Sequence, residues 1–126
     1  MNNEQRIMNN GKNVLRDKSY AFALKIVQMY KEIVEQKKEF VLSRQILRSG
    51  TSIGAMVRES EYAQSKADFV NKLSIALKEA NETDYWLTLL HDSKYITQGQ
   101  YDEVSALCIE LIKITTASIK TSKKNS

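Results

Sequence analysis

Apolar side chains recur at helical spacing in four separate stretches of this chain, divided by polar or glycine-bearing breaks. The first stretch predicts a helix over residues 17–36: Phe22, Ile26, Met29 and Ile33 follow at steps of four, three and four, and Ala23, Val27, Tyr30 and Val34 form a second row beside them. That face is wider than a two-position heptad seam, as a globular bundle or a buried subunit contact requires. A charged connection around residues 37–40 leads into a second helix over residues 42–62, with Ser43 or a neighbour as its N-cap. At about 100° per residue, Leu42, Ile46, Ile53 and Val57 share one side, and Arg44, Arg48 and Arg58 share a narrow arc opposite.

The third helix is expected over residues 67–91, where Phe69, Leu73, Ala76, Leu77, Ala80 and Leu87 make one stripe. Ile75, Glu79, Glu82, Trp86 and Leu89 cluster on a neighbouring side, so two carboxylates share a surface with bulky apolar groups. Gly99 supplies the next turn, and a fourth helix follows over residues 100–120 with Tyr101, Val104, Cys108, Leu111, Ile112, Thr115 and Ile119 in period. Short connections favour antiparallel neighbours, so the fold class is all-α, an up-down-up-down four-helix bundle over 17–120. A flexible N-terminal arm (1–16) and a basic flexible tail (121–126) flank it.

Composition narrows the picture further. The chain has 126 residues, no proline and four glycines, so one helical domain fits and an all-β domain, which needs many turn residues, does not. Gly50 and Gly54, four apart within the second helix, each cost about 1 kcal/mol relative to alanine, and close approach of another helix is the simplest reason for both. No apolar run is long enough to span a bilayer and the polar opening lacks a secretory apolar core, so the chain is expected to stay in the cytoplasm. The single cysteine, Cys108, sits among Leu107, Ile109 and Leu111 and reads as a buried thiol.

Candidate chemistry is sparse. One histidine, His91, with Thr88 three residues before it, does not make the Glu-x-x-His pairs of a di-metal bundle, and no phosphate loop, dinucleotide or nucleophile-elbow motif occurs. No cofactor or catalytic residue is expected. Glu79 and Glu82 read as partners in an interhelical salt bridge, with an arginine such as Arg48 or Arg58 opposite. The formal charge of +4 permits an anionic partner. Arg44, Arg48 and Arg58, with Lys120, Lys123 and Lys124 of the tail, are the candidate nucleic-acid-binding residues, because guanidinium groups grip phosphate oxygens bidentately. A solvated or salt-bridged face is the competing reading of the same strip. The apolar width of the first helix and the aromatic side of the third exceed what one small bundle buries, so self-association is expected.

The segment SGTSIGAMVRES followed by KLSIALKEANETDYWLTLL resembles the four-helix-bundle family encoded in intervening sequences of bacterial large-subunit ribosomal RNA genes. Ser52, Ile53, Gly54, Ala55, Val57 and Glu59 match its second-helix motif, and Glu79, Glu82 and Trp86 its third; Met56 stands where asparagine is usual. The resemblance implies antiparallel bundles assembled as homopentameric barrels. Through a related branch that serves diversity-generating retroelements, it also implies a scaffold for RNA or a reverse transcriptase, without catalytic residues.

Overall fold

The computed structural model describes residues 3–125, with side chains from Val14 onward; Met1, Asn2 and Ser126, parts of the expected arm and tail, lie outside. The described residues form α1 (Asn3–Glu32), α2 (Leu42–Ser60), α3 (Lys66–Asp92) and α4 (Gln98–Lys124). A π-helical turn, Ile33–Lys37, continues α1. Consecutive helices pack on one another and α4 closes against α1, which makes the antiparallel up-down-up-down bundle that the apolar periodicity predicts.

The buried stripes meet along the bundle axis. Phe22 and Ile26 from α1, Ile46 and Ile53 from α2, Leu73, Leu87 and Leu90 from α3, and Leu111 from α4 are each almost wholly withdrawn from water. Burying a side chain of this size stabilises by about 1.5–3 kcal/mol relative to exposure, so these stripes outweigh any single polar contact in the molecule. Cys108 lies in the same core, where its thiol donates to the Ala80 carbonyl oxygen at 3.2 Å.

Both helical glycines lie on the seam between α1 and α2. A Cβ on Gly50 would stand 2.8 Å from Ile26 Cγ1, and one on Gly54 would stand 3.3 Å from the Ser19 carbonyl oxygen. The close approach inferred from their spacing is present, and it brings α2 onto both the α1 core face and the α1 backbone.

Helix ends depart from the sequence reading in instructive ways. Ser43 does not cap α2: it is buried within the first turn and donates its hydroxyl to the Glu39 carbonyl oxygen at 2.8 Å. Glu39 does the capping from outside the helix, its carboxylate accepting from the amides of Val41, Leu42 and Ser43 at 2.9, 2.8 and 2.8 Å. A carboxylate three to four residues upstream supplies both charge and acceptors, and no N-cap rule based on serine anticipates it. Gly99 is not a turn residue; it lies in the first turn of α4, which Thr97 opens with a capping box closed by Gln100. Ser65 caps α3 by accepting from the Asp68 amide at 3.0 Å. The helical backbone also runs from Asn3, well before residue 17, and continues through Lys124, past residue 120.

Candidate nucleic-acid interface

The three arginines of α2 leave the helix in one arc but do not share one environment. Arg48 turns toward α3, where its guanidinium grips both oxygens of Glu82 at 2.6 and 2.7 Å and reaches Glu79 at 3.3 Å. The Trp86 indole N–H donates to Glu82 from the next turn, at 3.2 Å. Arg48 holds the Glu82 carboxyl below the usual carboxylate range; partial burial opposes this, and the Trp86 donor assists Arg48. This is the salt bridge expected of Glu79 and Glu82, with Arg48 as the partner, so Arg48 offers an incoming phosphate little charge that is not already answered.

Arg58 leans the other way, toward α1, and flanks a shallow groove floored by Ala23, Thr51, Gly54 and Ala55, with Arg16 and Tyr20 on the α1 side. Arg44 is exposed near the other end of α2, roughly 21 Å from Arg58 along the helix axis. Neither has an ion-pair partner among the described residues. The strip therefore divides into one neutralised and two free arginines that stand far apart.

Lys120, Lys123 and Lys124 are exposed on the last two turns of α4, where positive charge suits the helix dipole, and they too are unpaired among the described residues. The antiparallel register of Cys108 against Ala80 sets the start of α3 level with Ser122, so these lysines and Lys66 share the end of the bundle that carries Arg58. Nearby carboxylates at that end are engaged: Glu59 with Lys72 at 3.7 Å, Glu61 with Arg16 at 3.8 Å, and Asp68 with the Gln64 amide at 3.3 Å. The result is one basic end. Lys66 was missed by the sequence reading, which began the third helix at residue 67; in the structure it is the first residue of α3, where a lysine opposes the helix dipole.

Other charged pairs tie neighbouring helices rather than gather into a site. Lys18 pairs with Glu110, and Lys25 with Glu103, across the α1–α4 seam. His91 stacks on Tyr101 at 4.6 Å and hydrogen-bonds Asp92 and Gln98 at the α3–α4 turn. Burial pushes the Cys108 thiol up to about 12, with Asp84 adding to the effect, so it is not a nucleophile in the folded chain.

The family model for the 23S rRNA-intervening sequence protein matches residues 12–117, which is most of the chain. The chain belongs to that family. A crystal structure of a protein of unknown function from the S23 ribosomal protein family of Bacteroides thetaiotaomicron is similar to it, with 57% identity, a TM-score of 0.86, and coverage of 87% of this chain and 98% of the other. No curated protein matches the chain. Among the described residues no helix is long and apolar enough to cross a membrane.

Proposed function

We propose that this member of the 23S rRNA-intervening sequence family is a non-enzymatic, self-associating bundle that binds structured RNA in the cytoplasm through a basic surface. The observation that carries the reading is the charge imbalance at one end of the bundle, where Arg58, Lys120, Lys123 and Lys124 are exposed and the neighbouring Glu59 and Glu61 are already paired with other cations. Such a patch attracts a polyanion by releasing its counterions, and the affinity falls steeply with salt. Arg44 extends the reach of the patch along α2; Arg48 serves the α2–α3 contact instead.

Self-association follows from exposed apolar groups on opposite sides of the bundle. Tyr20 lines the α1–α2 groove and Leu24 is exposed one turn further along α1, and Tyr85 of α3 and Ile109 of α4 are exposed as well. Two different apolar faces favour a head-to-tail contact, which closes into a ring when the rotation permits; five copies is the number the family resemblance implies. Repeating the basic end around a ring multiplies its pull on RNA.

Filter binding of a folded RNA across salt concentrations tests the reading, with sedimentation velocity giving the assembly. Affinity that declines log-linearly with salt supports it; no binding even at low salt removes it. The apolar groove favours a second reading, in which the chain is an accessory scaffold for another protein such as a reverse transcriptase. Co-purification of a protein with no nucleic acid from native cells would favour that alternative.

A further inference from the structure

Within the basic end, the turn between α2 and α3 carries a group that charge alone does not explain. Tyr62 is 79% exposed, the most open of the large apolar side chains among the described residues, and its ring stacks on no other aromatic among them. It follows Arg58 by one helical turn and precedes Lys66, the first residue of α3, by another four positions. A ring left mostly in water, one turn from each of two unpaired cations, gains little burial within the fold. Aromatic faces set among cations are how proteins hold unpaired nucleotides: the base stacks on the ring while the cations take the flanking phosphates.

We propose that this turn binds unpaired nucleotides of RNA, with a base stacked on Tyr62, Arg58 and Lys66 on the adjacent phosphates, and Lys120, Lys123 and Lys124 extending the phosphate track. The proposal rests on the RNA-binding reading above and specifies its ligand as single-stranded or looped rather than duplex. A duplex keeps its bases stacked inside and leaves a protruding ring nothing to pair with. An anionic membrane is the poorer fit, because Tyr62 is the one large apolar group exposed between residues 60 and 66, and surface insertion takes a row of them.

Fluorescence anisotropy of the full chain decides the matter, using a labelled 12-nucleotide oligouridylate, a duplex RNA of equal length and phosphatidylglycerol vesicles. The single strand is expected to bind more tightly than the duplex. Tyr62→Ala is expected to weaken single-strand binding about tenfold, the scale of one lost base–aromatic stack, and Tyr62→Phe to retain it. Replacing Lys120, Lys123 and Lys124 with glutamine should weaken both RNAs and flatten the salt slope, whereas Arg48→Gln should change neither by more than about twofold. Circular dichroism and sedimentation of each variant ensure that loss of binding is not loss of fold or assembly. If RNA binds but Tyr62→Ala matches the parent, or duplex binds as well as single strand, this proposal is overturned and the general RNA reading stands. If the parent binds neither RNA, both fall, and binding to the vesicles alone would assign the basic end to membranes.

Discussion

On its side toward α1, α2 presents Gly50 and Gly54 and comes close enough that Ile26 and the Ser19 carbonyl occupy the space a Cβ would take. On its side toward α3 it presents Arg48 and Ser49, which meet Glu79, Glu82 and Thr83 through a salt bridge and a hydroxyl pair. One helix thus makes one contact by removing side chains and another by adding polar ones. The first depends on shape and is indifferent to salt and pH; the second depends on charge and is sensitive to both. Close packing tolerates little change in volume, whereas a half-exposed ion pair contributes modestly and is screened.

The difference can be broken most sharply at Gly50. Gly50→Ala gains helix propensity but forces a methyl against the β-branched Ile26, which is buried and has no free end to swing away. A net loss of about 2 kcal/mol is expected in urea denaturation, the same at low and high salt. A smaller effect belongs to Thr83, whose buried hydroxyl hydrogen-bonds the Ser49 hydroxyl at 2.9 Å. Thr83→Val leaves Ser49 without that partner and should cost about 1 kcal/mol, with volume nearly conserved. Glu82→Gln removes the bidentate grip on Arg48 and should cost under about 1 kcal/mol at low salt, shrinking toward zero in molar sodium chloride.

Acid titration sharpens the same contrast. Glu39 is lowered from its ordinary value of 4.5: partial burial works against the shift, but the amides of Leu42, Ser43 and Val41 favour the carboxylate and prevail. Glu82 is lowered as well, chiefly by the Arg48 hydrogen bonds. A carboxyl more acidic in the folded state than in the unfolded chain contributes stability above the unfolded value and loses it as pH falls through the folded one. The urea midpoint is therefore expected to hold near neutrality and to decline below about pH 4.5. Glu39→Gln and Glu82→Gln should each flatten that decline, and Gly50→Ala should shift the curve without changing its form.

Most of the architecture was legible because helix existence is written in apolar spacing, and the four stripes identified in sequence are the ones that meet in the core. The glycine pair and the Glu79, Glu82 and Arg48 contact were readable for a related reason: each is a local anomaly, a costly residue or a charge beside apolar groups, which calls for a neighbouring helix. Helix ends were less legible. Glu39 caps α2 from a connection with no pattern of its own, and the π-helical turn Ile33–Lys37 sits inside an apolar period that looks α-helical. The arginine arc misled most, since angular position on an isolated helix does not say which neighbour each long side chain will reach. Arg48 was drawn to acids on α3, and Arg58 was left beside α1. The basic end was hidden because its members come from three helices and assemble only in the bundle.

The chain's lone thiol offers a clock. Cys108 is sealed in the core with its proton held by burial and by the Ala80 carbonyl, so an alkylating reagent meets it only when α3 and α4 part. Under excess reagent the pace of modification counts openings of the unaltered molecule, without a dye or an engineered probe. If binding a partner restrains that parting, the clock will run slow in its presence.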